Sequence, residues 1–192
     1  MSHYYTNNVD LETHETRIPF QYRKHQLTFI SDIGVFSKER VDYGSRVLLD
    51  CMDIQANQRS LLDVGCGYGT LGVSLKKEYP WLHVEMVDVN ERAVHLANQS
   101  CQYNDVEDIK AYLSFAYENV VGTFDVIVSN PPIRAGKKVV FEILEKAFDF
   151  LNENGELIVV IQKKQGRHQH KRKWMKFLVI VKLSKEIKGI LY

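Results

Sequence analysis

From residue 60 to residue 162, short apolar runs that suit a pleated strand alternate with longer stretches of helical spacing. SLLDVG (60–65), HVEMVDV (83–89), IKAYLSF (109–115), FDVIVSN (124–130) and ELIVVIQ (156–162) read as strands. GTLGVSLKKEYP (69–80), stopped by Pro80, and ERAVHLANQSCQYN (91–104) read as helices, as does KVVFEILEKAFDFLNENG (138–155), closed by Gly155. Parallel strands cannot be joined by a tight turn, so a helix must carry the chain back each time, with one hand. The expected fold class is α/β, a Rossmann-like, doubly wound and mostly parallel sheet. A chain of 192 residues suffices for one such domain with a sizeable core and is too short for two.

The chain ahead of residue 60 reads as an extension to this domain. Residues 1–15 form a polar arm, 17–37 hold two β-rich patches around a charged turn and suit a hairpin, and 39–54 suit a short helix. In that helix Val41, Val47, Leu48, Cys51 and Met52 fall near helical spacing. Hydrophobic residues make up 45% and charged ones 26%, the balance of a water-exposed globular protein. No apolar run approaches the roughly 20 residues of a membrane span. The first residues, MSHYYTNNVDLETHE, lack the apolar centre of a secretory leader. Cys51, Cys66 and Cys101 are odd in number and without C-x-x-C spacing, which argues against a disulfide framework and a zinc site. The expectation is a cytoplasmic protein with neither membrane nor metal partner.

In LLDVGCGYGTLG, Asp63 precedes Gly65, Gly67, Gly69 and Gly72 at a strand-to-helix turn. Glycines there let the main chain approach a ligand, and the following helix offers free N–H groups. Residues 67–72 match the dinucleotide pattern G-x-G-x-x-G. Asp88, 25 residues after Asp63 at the end of the next strand, is placed to accept ribose hydroxyls. A pyrophosphate beside Asp63 would be repelled, which disfavours NAD. With its acid two residues before the first glycine, D-x-G-x-G-x-G resembles motif I of the class I S-adenosylmethionine-dependent methyltransferases.

The strand FDVIVSN ends in Asn130-Pro131-Pro132-Ile133. This resembles the amino-methyltransferase signature, Asn or Asp, two prolines and an aromatic residue. The lone pair of an exocyclic base amine is delocalised into the ring. The Asn130 oxygen and the Pro131 carbonyl can each accept one N–H and aim that lone pair, while the prolines stiffen the loop.

FQYRKHQLTFISDIGVFSKERVDYGSRVLL, DVGCGYG, VEMVDVNERAV, FDVIVSNPPIRAGK and GELIVVIQKKQG together resemble the ribosomal RNA small subunit methyltransferase C-like family, over about residues 20–166. The resemblance implies S-adenosyl-L-methionine as cofactor, guanine N2 in small-subunit ribosomal RNA as target, and ribosomal RNA or the small ribosomal subunit as partner. It places Asp63, Gly65, Cys66, Gly67, Gly69, Asp88, Val89 and Ser114 at the cofactor, and Asn130, Pro131, Pro132 and Ile133 at the reaction. Phe36, Arg134 and Lys137 fall on the substrate side, and Gly34 to Ser37 match a segment that closes over the cofactor. Three positions depart from the family pattern. Thr70 stands in place of proline, Ile133 in place of the stacking aromatic (with Phe36 a candidate substitute), and Ser114-Phe115 where many relatives carry an acid.

Charge divides the chain in two. Residues 1–162 carry 15 Lys+Arg and 23 Asp+Glu, a balance of −8; residues 163–192 carry 10 basic residues and one acid, a balance of +9. The methyltransferase domain is expected over residues 1–166. The family pattern continues with a helix and an antiparallel hairpin that complete a seven-stranded sheet, whereas residues 167–192 read as an atypical basic tail. A reading-frame slip near Arg167 accounts for that composition, with a genuine RNA-phosphate-binding tail as the alternative. Residues 168–192 are expected to pack poorly, FLVIVKLS (177–184) being the segment able to cover the sheet edge. His168 and His170 are at best half a metal site. Two other functions compete with methyl transfer, a non-catalytic RNA-binding or scaffold role and NAD-dependent oxidoreduction.

Overall fold

The structure, a computed structural model, describes residues 14–33, 35, 40–131, 136–164 and 176–185. Strands β1 (Thr16–Tyr22) and β2 (His25–Ser31) form an antiparallel hairpin, turned at Arg23 with a φ of 49°. Helix α1 (Tyr43–Asp50) leads to β3 (Ser60–Val64), α2 (Thr70–Glu78), β4 (His83–Asp88), α3 (Glu91–Tyr103) and β5 (Ile109–Leu113). The chain then crosses to β6 (Phe124–Ser129), α4 (Gly136–Lys146), a 3-10 turn (Ala147–Asp149), β7 (Leu151–Lys164) and β8 (Lys176–Ser184). The second sheet has the order β5-β4-β3-β6-β7-β8, parallel except for β8. This is the class I Rossmann-like methyltransferase fold. Strand order reverses between β3 and β6, so a crevice opens beyond their carboxyl ends.

Alternate residues of the sheet feed two cores. Leu61, Val84, Met86, Val126, Val128 and Ile158 face a layer made by α1, α2, α3 and the hairpin. Leu62, Val64, Val87, Ile127, Leu157 and Val159 face Tyr117, Ile143 and Ala147. The hairpin docks on α3 through side chains that imitate a strand. Asn104 accepts from the Thr28 N–H (2.9 Å) and donates to its carbonyl (2.7 Å), and Ser100 Oγ accepts from the Ile30 N–H (3.1 Å).

Helix α1 is shorter than the expected 39–54. An eight-residue helix is marginal in isolation. Burial of Leu48 and Leu49, both 0% exposed, stabilises it by about 1.5–3 kcal/mol each. Asp42 caps its start and the chain leaves the helix at Cys51, so Val41 and Met52 are buried from outside it, while Cys51 is exposed.

The expected helix to Gly155 ends at Lys146 instead. The Phe124 N–H takes the Phe150 carbonyl (2.8 Å), and Leu151 joins the sheet opposite Phe124. Pairing resumes at Val126 and Glu156, and the intervening bulge explains Gly155. A Cβ there would stand 2.9 Å from the carbonyl oxygens of both Asn152 and Phe124. FLVIVKLS takes the sheet edge it was expected to be able to cover, and its described side chains, from Ile180 to Ser184, are half-buried or exposed. Lys176–Ser184 pairs with β7 from Glu156↔Ser184 to Lys164↔Lys176, and Lys182 Nζ reaches Glu156 at 2.8 Å. Residues 165–175, including His168 and His170, and 186–192 lie outside the described residues. Among the described residues no helix is long and apolar enough to cross a membrane, and no group of three or more His, Cys, Asp or Glu could hold a metal ion.

Candidate active site

The register Asp63↔Val128 sets the geometry of the crevice, because it places the turn after β3 beside the turn after β6. One pocket is lined by Asp63, Gly65, Cys66, Gly67 and Tyr68, by Thr70 and Leu71 at the head of α2, and by Asn130 across the sheet. The remaining lining residues, Asp42 and Ser45, come from the start of α1. The two motifs singled out in the sequence therefore meet in one site.

The glycine loop is held from behind. Val87 O accepts from the N–H groups of Gly65 (2.8 Å) and Cys66 (3.0 Å), and Asp88 Oδ2 accepts from the Gly67 N–H (2.9 Å). Gly65 and Gly67 have φ of 74° and 57°, with nothing within 4 Å of where a Cβ would stand. Glycine takes that backbone at no steric cost and leaves the space above it open. Gly72 meets a different demand, since a Cβ there would stand 2.5 Å from Met86 Sδ.

Asp63 is fully buried. Its Oδ2 accepts from the Gly72 N–H (3.0 Å), whereas Oδ1 has no hydrogen-bond partner among the described residues. Burial pushes its carboxyl up to about 7, against the Gly72 hydrogen bond that lowers it. An unpaired buried acceptor costs about 1–3 kcal/mol, which a hydrogen-bond donor brought to Oδ1 would relieve.

Asp88 is 3% exposed, and burial raises its carboxyl from the ordinary range. Beyond the Gly67 contact, Oδ1 accepts from the Asn90 N–H (2.9 Å), so Asp88 also supports the loop itself. Val89 follows it, half-buried. The Ser114 N–H donates to the Asp88 carbonyl (3.0 Å), and its hydroxyl is engaged with Ala116 O (3.1 Å) and the Asn119 N–H (3.1 Å) within its own turn.

Asn130 Nδ2 donates to Asp42 Oδ1 (3.0 Å) and Ser45 Oγ (2.9 Å). Neither partner was among the sequence candidates. The available signal was local, an aspartate in the N-cap position ahead of an apolar helix. Pro131 is half-buried and Lys137 is exposed on the first turn of α4. Gly34, Phe36, Ser37, Pro132, Ile133 and Arg134 lie outside the described residues.

The chain matches the Methyltransferase small domain family over residues 26–188. It is 46% identical to the uncharacterized protein YbxB of Bacillus subtilis over 166 residues, 85% of this chain and 83% of that one. It is 39% identical to the Ribosomal RNA small subunit methyltransferase C of Aeromonas hydrophila over 139 residues, 70% of this chain and 40% of that protein. Among solved structures it resembles the T. thermophilus 16S rRNA N2 methyltransferase RsmC in complex with AdoMet and guanosine. That likeness has a TM-score of 0.66 and 26% identity, covering 78% of this chain and 42% of that one. The chain thus spans about two-fifths of the length of these methyltransferase C relatives and most of the length of YbxB. The sheet order, the glycine loop under a buried acid and the Asn-Pro turn beside it agree with that match, and the chain belongs to the methyltransferase small domain family.

Proposed function

We propose that this chain is an S-adenosyl-L-methionine-dependent methyltransferase acting on an exocyclic nucleobase amine, guanine N2 of small-subunit ribosomal RNA. The observation that carries the reading is the shared crevice, in which Asp63 and the glycine loop form one wall and Asn130 the other. The unpaired Oδ1 of Asp63 and the open space over Gly65 and Gly67 fit the cofactor's amino-acid end, and Asp88 would accept the ribose hydroxyls. When bound, this cofactor supplies an electrophilic methyl group on a sulfonium. The guanosine in the RsmC complex supports guanine as the base.

The chain's own residues orient rather than ionise the amine. Asn130 Oδ1 and the Pro131 carbonyl each accept one N–H, which fixes the amine plane and turns its lone pair toward the methyl donor. No strong base is required, because the amine becomes far more acidic as it is alkylated and then releases its proton to water. Pro131 has no N–H of its own to compete for these acceptors.

Methyl transfer from labelled cofactor should be measured on naked small-subunit RNA, on assembled small subunits and on a protein mixture. Label is expected in guanine N2 of the RNA. Label in protein alone, or in another base, would overturn the target. Asn130→Ala should keep cofactor affinity and lower turnover by about a hundredfold or more. A loss under about threefold would remove Asn130 from the chemistry.

A further inference from the structure

A side-chain amide has two nearly equivalent orientations, and only its partners decide which end faces a substrate. At Asn130 the partners are unambiguous. Asp42 Oδ1 accepts from Nδ2 at 3.0 Å, and a carboxylate oxygen has no hydrogen to give in return. Ser45 Oγ donates its hydrogen to Asp42 Oδ2 at 2.6 Å, so toward Asn130 it can only accept, at 2.9 Å. Both hydrogens of Nδ2 are thereby directed into the start of α1. Reversing the amide would set its oxygen against two acceptors.

Gly44 completes the seat. A Cβ at that position would lie 2.9 Å from Asn130 Oδ1 and 3.1 Å from Nδ2, so the amide lies against bare backbone. Asn130 Oδ1 accepts no hydrogen bond from the described residues, and Asn130 lines the crevice that holds Asp63. Asp42 also caps α1, accepting from the N–H groups of Gly44 (2.9 Å) and Ser45 (3.2 Å). Formation of the cap and orientation of the amide are thus one event.

We propose that Asp42, assisted by Ser45, is a positioning residue that locks the Asn130 amide with Nδ2 turned into α1 and Oδ1 presented to the substrate amine. The inference rests on the amine-orienting reading of Asn130 given above. It also accounts for asparagine rather than aspartate at this position, since a carboxylate there would face the Asp42 carboxylate across about 3 Å.

The test separates capping from clamping. Asp42→Ser keeps a good N-cap but is too short to reach Asn130, whereas Asp42→Asn keeps both the cap and the acceptor oxygen. The Nδ2 protons of Asn130 are followed by nuclear magnetic resonance, assigned by their absence in Asn130→Asp. Turnover is followed on small ribosomal subunits and their naked RNA. Asp42→Ser should speed exchange of those protons and lower turnover by about tenfold or more, with cofactor affinity held within about twofold. Asp42→Asn should rescue both readouts to within about threefold. Unchanged proton exchange in Asp42→Ser, turnover within about twofold of the parent, or failure of Asp42→Asn to rescue would each overturn the proposal. Ser45→Ala removes one Nδ2 acceptor and the hydrogen bond to Asp42 Oδ2 but leaves both N–H bonds of the cap, and it carries the same test if Asp42→Ser does not fold. Should Asn130→Ala itself retain full turnover, the amine-orienting reading falls, while the proton exchange still decides whether the clamp exists.

Discussion

Helices α2 and α4 both follow parallel strands, yet they are buried very differently. Every residue from Thr70 to Lys76 of α2 is buried, whereas Ile143 is the buried residue of α4 and Phe141 is 57% exposed. The reason is the layer above them. Among the described residues, helix α2 is enclosed by the sheet, α1, α3 and the hairpin, while α4 shares its face of the sheet with a 3-10 turn and the segment around Tyr117. The thick layer supplies the head of α2 over the glycine loop, and Asp42, whereas Asn130 begins the connection to α4. The contacts from Asn130 to Asp42 and Ser45 are where the thinner side is tied to the thicker one.

The largest effect that could break this contrast lies in α2. Leu75 is 0% exposed, and Leu75→Ala should cost about 2–5 kcal/mol in denaturant unfolding, from lost transfer energy and the cavity left behind. A cost no greater than that of a surface change would show that the thick layer is not the stabilising one. Next is Asp88→Ala, which should weaken S-adenosylmethionine binding by about 1.5–3 kcal/mol, the scale of a lost charged hydrogen bond. Because Asp88 also holds Gly67 and Asn90, the variant should unfold earlier as well. Unchanged affinity in a calorimetric titration would restrict Asp88 to supporting the loop.

Asp63 sharpens the contrast through pH. Its folded-state carboxyl titrates at about 7, above the roughly 3.9 of an unfolded chain. Between those values the folded state holds a proton that the unfolded state has released, so Asp63 makes stability fall as pH rises across the window. Asp63→Asn removes that titration. The stability of the variant relative to the parent should rise by on the order of 1–3 kcal/mol between about pH 4 and pH 8, while its cofactor affinity drops. A difference that stays flat with pH would return the carboxyl to its ordinary range. The smallest effect belongs to the thin side, where Phe141→Ala should shift stability by no more than about 0.5 kcal/mol. A larger loss in the same unfolding measurement would mean that α4 is packed better than its exposure indicates.

Strand-helix alternation, the glycine loop and the hairpin were legible in the sequence, because each is decided within a few residues. Apolar spacing sets which face is buried, and Pro80 and the glycines set where the backbone turns. The end of α4 was not legible. FDFLNENG carries a helical pattern, but the Phe124 N–H claims the Phe150 carbonyl from across the sheet and Leu151 becomes a strand residue. A hydrogen bond to a distant strand overrode local preference there. The same division runs through the candidate site. Sequence alone named Asp63, Gly65, Gly67, Asp88 and Asn130, because glycines, acids and an Asn-Pro-Pro turn at strand ends carry their chemistry locally. Only the tertiary structure joined Asn130 to Asp42, 88 residues earlier in the chain. A cap aspartate announces its helix, but the donor it accepts from outside that helix depends on which strand end the whole fold sets beside it.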